Sequence, residues 1–411
     1  MNKKERVLII NEFYEGGGSE LQSHREKKYF EENGYKIWLL TFDDRYPYRK
    51  NFCDSECWIN IPLHYGKVKK FLGWVINDRD LKMKLNGILE EIKPTFIHVN
   101  NVFSAPYTVY NLVERYPALQ TIRDYSAICP KGTCIKFDNS LCKGYKFSSC
   151  IKCTKKIEHK VKALLMNRLN ALRKKAFEQL VCPSQALSNS CTENDMETFC
   201  LNNSFDFSVL KYNEVCYKKN RFLYYGMVSQ TKGVSELINA FSIFHKENNA
   251  VQLTIAGMID PLYEEKFYDM IRGRDFIDYI GVKTNSKIME LYKDIYCVIV
   301  PSLWIENYPN TVLESLANKT IVIGSNRGGI PELIADGRQL FDICDIGDFV
   351  SKLNYVYKLE EDEYKKIVEC GYKRIKQNNS PNVYFNKMCD YIRVIKKIHE
   401  DKKRYLSSKS K

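Results

Sequence analysis

The stretch "YYGMVSQTKGVSELINAFSIFHKEN", residues 224–248, reads as a strand end, a glycine-containing loop and then a helix. It completes the apolar run "RFLYYG" (221–226). The same order occurs near the start of the chain, where "RVLIIN" (6–11) leads into "INEFYEGGGSELQSHREKKYFEENG" (10–34). A chain that restarts in this way halfway along carries two domains of one kind. In such domains ligands sit at the C-terminal ends of the strands.

Further short β-branched runs continue each half: "KIWLLTF", "FIHVNN", "LQTIRD" and "QLVCPS" in the first, "VQLTIAG", "DYIGV", "CVIVPS" and "TIVIGS" in the second. Continuous apolar strands alternating with helices predict parallel sheets covered on both faces, a doubly wound α/β fold. The polar stretch 193–214 marks the boundary. The expected division is 1–205, with a cysteine-rich insertion at 129–153, then 206–385, then a basic helix and tail at 386–411. That last segment is expected to pack back on the first domain.

The bulk numbers agree with a globular chain. Its 411 residues exceed one ordinary core, with 44% apolar and 27% charged residues. No apolar run approaches the roughly 20 residues of a membrane span, and "MNKKERVLII" is too short for a secretory signal. Lys and Arg number 63 against 50 Asp and Glu, a net charge of +13 that favours acidic partners. Fifteen cysteines in such a chain point to a reducing compartment, hence a cytoplasmic location.

Two anion-binding features stand out. Gly17 and Gly18 precede a helix, where backbone N–H groups and the helix dipole favour a phosphate. Lys232 occupies the corresponding loop of the second half. The third feature is "PSLWIENYPNTVLESLAN" (301–318), with Glu306 and Glu314 around Pro309. Pro309 starts a helix near Asn310, leaving Glu306 in the preceding loop and Glu314 just over one turn inside. The pair therefore does not stack on one face, and a glycosidase-like acid/base couple is the less natural reading. The N–H groups of Asn310 and Thr311 face outward for phosphate or hydroxyl oxygens.

With "GGSE" (17–20), "IHVNN" (97–101), "RDYSAICP" (123–130), "LTIAG" (253–257), "YIGV" (279–282) and "GSNRGGIPELI" (324–334), these pieces resemble glycosyltransferase family 4, retaining enzymes of GT-B fold. The resemblance implies two Rossmann-like domains with an interdomain cleft. It also implies transfer of a sugar from a UDP- or GDP-linked donor to a saccharide or lipid-diphosphate-linked acceptor, in bacterial capsule, O-antigen or exopolysaccharide synthesis. Glu314 would bind the ribose, Glu306 the sugar, and Lys232 with Gly17 and Gly18 the diphosphate. Asn310 and Thr311 would add backbone groups, and Gly281 and Val282 would line the base pocket. No catalytic metal is implied, because the departing diphosphate oxygen takes the acceptor's proton.

Departures from the family pattern carry expectations of their own. Met227 stands where an arginine is common, and Arg123 where a histidine is. Arg123 is therefore expected to clamp the diphosphate and to join Glu306 and Lys232 in catalysis. A subset of the family has cysteines at Cys129, Cys142, Cys150 and Cys153, which implies a closed structural zinc site with Cys134 spare. The basic helix "KKIEHKVKALLMNRLNALRKKAFEQL" reads as a docked surface helix or as a peripheral contact with anionic membrane on its inner face. The alternatives are a nucleotide-sugar epimerase of the same fold, a degenerate transferase, or a zinc-stabilised nucleic-acid-binding protein. The last is disfavoured because neither zinc-finger histidines nor a basic-aromatic strand is present, so no nucleic-acid partner is expected.

Overall fold

The structure is a computed structural model that describes residues 5–52, 57–136, 140–142, 144–210 and 214–409. The chain divides into two compact units, one of residues 1–204 with 381–411 and one of residues 205–380.

The first unit is built on one sheet. From edge to edge its strands are Arg49–Lys50, Trp58–Asn60, Lys36–Thr41, Arg6–Asn11, Phe96–Val99, Ala118–Thr121, Gln179–Cys182 and Phe199–Cys200. All neighbours are parallel except the short Arg49–Lys50 edge. Val7, Leu8, Ile9 and Ile10 are all buried, as a strand covered on both faces requires. The chain order reverses beside Arg6–Asn11, which places a topological switch point at its C-terminal end.

The last helix of the chain, Pro381–Lys409, belongs to this unit. It begins at Pro381, five residues ahead of the start expected at 386, because a proline fits the first turn of a helix. Tyr384, Met388, Ile392 and Ile395 fall on one helical face and join the core with Val7, Ile9, Tyr29 and Phe30.

The second unit carries a six-stranded, wholly parallel sheet. Its order is Ile277–Tyr279, Gln252–Ala256, Arg221–Tyr225, Cys297–Val300, Ile321–Ser325 and Leu340–Phe341. In chain order this is 3-2-1-4-5-6, the Rossmann arrangement, with its switch point between Arg221–Tyr225 and Cys297–Val300. Helices Val234–Glu247 and Ile346–Lys358 cover one face, while Asn285–Leu291 and Asn310–Ala317 cover the other. Every strand expected from the apolar runs is present. The additional ones are short strands of two or three residues at or next to the sheet edges.

Candidate functional site

The second unit's switch point brings together groups far apart in sequence. Strand Arg221–Tyr225 ends in a loop holding Lys232, and strand Cys297–Val300 ends in the loop holding Glu306. Lys232 Nζ lies 2.5 Å from Glu306 Oε1, and Ser302 Oγ donates to the same oxygen at 2.7 Å. The Trp304 ring centroid lies 5.7 Å from Lys232 Nζ. Both charged side chains keep partial exposure, so an incoming anion can reach the ammonium.

Glycines set this geometry. Gly233 has φ +70°, and a Cβ there would overlap the Pro301 carbonyl oxygen. Gly328 has φ +62°, and a Cβ there would overlap the Glu306 carbonyl, which also accepts from Gly329 N at 2.7 Å. The loops that bear Lys232 and Glu306 are thus pressed against neighbouring backbone that admits no side chain.

Glu314 is positioned differently. Helix Asn310–Ala317 is capped by Pro309, and Glu314 is buried on it. Tyr225 OH donates to Glu314 Oε2 at 2.6 Å, and Tyr292 OH donates to Tyr225 OH at 3.1 Å. Burial first, then the Glu314 charge, pushes the Tyr225 hydroxyl well above its usual pKa, so it remains a donor. Thr311 Oγ1 lies 3.4 Å from the Tyr225 carbonyl, which ties the helix start to the adjacent strand end. The first N–H groups of a helix have no partner within it. At the same place the buried Asn310 Oδ1 also has no hydrogen-bond partner among the described residues. Gly281 takes φ +71° at the sheet edge and Val282 is exposed beside it. Met227 and Met258, at the ends of the next two strands, are exposed as well.

Three first-unit expectations meet a more detailed picture. Gly17 caps helix Gly18–Glu32, but Glu20 Oε2 lies only 2.8 Å from where a Gly17 Cβ would stand. Ser19 and Asn11 side chains donate to Glu20 Oε1. A carboxylate already shares that helix start, so a phosphate would have to displace it. Arg123 donates from Nε and Nη2 to Asn100 Oδ1 at 2.9 and 2.7 Å, and from Nη1 to Asn203 Oδ1 at 2.7 Å. Burial lowers its pKa while Tyr384, Glu26 and Glu20 favour its charge. A diphosphate clamp would require it to leave these partners within its own unit.

Cys129, Cys142, Cys150 and Cys153 line one pocket of about 450 Å³. Among the described residues no three His, Cys, Asp or Glu side chains are gathered to hold a metal ion. Cys134 is not idle: its hydrogen bond to Cys129 is the main reason the Cys129 thiol is held down at about 5.

The sequence reading did not find Tyr225, Tyr292 or Ser302. Only Tyr225 offered a signal, as a polar group at the end of an apolar strand.

Residues 213–374, most of the second unit, match the family model described as Glycosyl transferases group 1. An uncharacterized 42.6 kDa protein in the cps region of Klebsiella pneumoniae is 21% identical over 375 residues, covering 86% of each chain. The lipopolysaccharide 1,2-N-acetylglucosaminetransferase of Salmonella typhimurium is 29% identical over 159 residues, 36% of this chain and 41% of that one. Among solved structures, Anabaena HepE in complex with UDP and glucose superposes with a TM-score of 0.70 at 13% identity, covering 95% of this chain and 100% of that one. At that identity the likeness speaks for fold alone, and the fold is GT-B, with two Rossmann-like domains.

Proposed function

We propose, from a second unit that carries the group 1 glycosyl transferase pattern, that the chain is a retaining transferase. It moves a sugar from a nucleoside-diphosphate donor of the UDP class to a saccharide or lipid-linked saccharide acceptor, in bacterial surface polysaccharide synthesis. The second unit is assigned the donor and the first the acceptor. The observation that carries this reading is the meeting of Lys232 and Glu306 at a Rossmann switch point, with Glu314 held by Tyr225 one strand away.

The chemistry follows from what those groups can do. A diphosphate competes with Glu306 for the Lys232 ammonium and takes the free N–H groups at Asn310 and Thr311. Glu306, released, accepts hydroxyls of the sugar, while Glu314 accepts those of the ribose. Charge developing on the leaving diphosphate is stabilised by Lys232 and the helix start. The acceptor hydroxyl's proton passes to the departing oxygen as the new bond forms on the same face, so no protein nucleophile or general base is assigned. The K. pneumoniae and S. typhimurium relatives support the polysaccharide setting, and the UDP of the Anabaena complex supports the nucleotide class.

A panel of UDP-, GDP-, ADP- and CMP-sugars read by thermal shift tests the donor assignment. One nucleotide class should raise the melting temperature, and Glu314→Ala should abolish the rise. A shift of equal size in Glu314→Ala would overturn the role given to that carboxylate.

The pocket shared by Cys129, Cys142, Cys150 and Cys153 supports a structural zinc ion held by four thiolates, a closed set with no open position. The thiols must close on the ion from the pocket wall. Purified protein should contain close to one equivalent of zinc and lose thermal stability on chelation. Less than about half an equivalent would count against the site.

A further inference from the structure

The short helix Lys67–Leu72, "KVKKFL", buries none of its residues. Its neighbour is helix Ile157–Ala176. Lys67 Nζ lies 3.7 Å from Glu158 Oε1, Lys162 Nζ lies 5.4 Å from the Trp74 ring centroid, and Arg168 donates to the Val75 carbonyl at 3.2 Å. These ties join residues 67–76 and 155–168 into one surface of the first unit.

That surface has two characters at once. Val68, Leu72, Ile76, Ile157 and Leu164 project from it with 72%, 44%, 51%, 70% and 60% of their area exposed. Ile157 and Leu164 are two turns apart and share a helix face. Between and around them stand Lys67, Lys69, Lys70, Lys155 and Lys156, all exposed, with Lys160 and Lys162 half-buried. Few carboxylates oppose them. Glu158 is engaged by Lys67, Asp78 by Lys69 and Tyr65, and Asp80 is exposed.

We infer that this surface docks the first unit on an anionic lipid bilayer. The lysines meet the headgroups, and Val68, Leu72, Ile157 and Leu164 enter the acyl boundary. A bilayer matches both characters, because peripheral binding combines buried apolar area with attraction of basic residues to anionic lipid. Nucleic acid would use the lysines but offers no burial for aliphatic side chains, since its non-phosphate contacts favour aromatic stacking.

The surface adjoins the first unit's switch point. Trp74 Nε1 donates to the Phe103 carbonyl at 3.0 Å, and Phe103 N donates to Glu12 Oε2 at 2.7 Å, just past strand Arg6–Asn11. Docking here holds an acceptor carried on a lipid beside those strand ends. That last consequence rests on the proposed transferase reading, whereas the docking does not.

Co-sedimentation of the full chain with vesicles tests it without any nucleotide sugar present. Vesicles of phosphatidylcholine with about a third phosphatidylglycerol should bind the protein at least about tenfold more tightly than phosphatidylcholine alone. Val68→Asp and Ile157→Asp should each weaken binding about tenfold, and Lys67→Ser/Lys69→Ser/Lys70→Ser together about a hundredfold. All five side chains are exposed, and an unchanged melting curve confirms the fold of each variant. Failure of the wild-type protein to bind anionic vesicles would overturn the inference. So would lysine variants that bind like wild type. Loss with the lysine variants but not with Val68→Asp or Ile157→Asp would show a plain polyanion surface, and would equally overturn it.

Discussion

Lys232→Ala is expected to lower release of nucleoside diphosphate from the donor by about 100- to 1,000-fold, the usual loss when one group that stabilises a leaving charge is removed. Its geometry explains why the loss should be large. Lys232 is held at 2.5 Å from Glu306 before any ligand arrives, so its ammonium is already placed and costs little further ordering. Without it, Glu306 keeps the Ser302 hydroxyl at 2.7 Å and presents its negative charge to the diphosphate without the facing ammonium. The double variant Lys232→Ala/Glu306→Gln should therefore bind nucleoside diphosphate about tenfold more tightly than Lys232→Ala alone, a coupling that a double-mutant cycle isolates. Lys232→Arg should recover only part of the activity, because a planar fork does not replace a compact ammonium. Turnover unchanged in a folded Lys232→Ala protein would contradict the assignment.

The second large effect is expected at a residue that touches no ligand. Gly233→Ala places a methyl group against the Pro301 carbonyl oxygen at φ +70°. The left-handed conformation alone costs a residue with a Cβ about 1–2 kcal/mol, and the overlap with backbone adds to it. A total above about 2 kcal/mol should lower the unfolding temperature of the second unit by roughly 4–8 °C. The loop carrying Lys232 must move to relieve the overlap, so donor binding should weaken along with stability. Gly337→Ala is the control. Nothing stands within 4 Å of its Cβ and its φ is not positive, so its effect should stay within about 0.5 kcal/mol. Equal melting of both variants would show that the close approach of Gly233 to Pro301 has no energetic weight.

These two residues also show what the sequence could reveal. Strands such as "RVLIIN" and "TIVIGS" are legible because they are buried on both faces and hence continuously apolar. The edge strands Arg49–Lys50, Phe199–Cys200 and Leu340–Phe341, and Trp58–Asn60 next to one edge, are too short for any such signal. Lys232 and Glu306 are legible as charges in loops that follow strands. Their pairing is not, because it depends on Arg221–Tyr225 and Cys297–Val300 becoming neighbours across more than 70 residues of chain. The same holds for Tyr225, whose hydroxyl reaches Glu314 only through that adjacency.

At two expected anion sites the structure adds partners of its own. Arg123 is expected to clamp a diphosphate, and its guanidinium donates to Asn100 and Asn203, from elsewhere in its own unit. Gly17 reads as an open anion cradle, yet the Glu20 side chain folds back beside it. No local pattern connects Asn100 and Asn203 to Arg123, whereas Glu20 stands in the first turn of the helix that Gly17 caps. The exposed helix Lys67–Leu72 shows the opposite failure. Its apolar and basic residues look ordinary one by one, and acquire meaning only beside Ile157 and Leu164.

The central claim is that the second unit's switch point holds a nucleoside diphosphate, and a crystal structure of the chain grown with UDP tests it most directly. The expected result places the diphosphate on Lys232 Nζ and on the N–H groups of Asn310 and Thr311, with the ribose hydroxyls on Glu314 and Glu306 released toward the sugar position. UDP bound elsewhere, or a saturated crystal in which Lys232 stays paired with Glu306 and makes no contact with phosphate, would contradict the account.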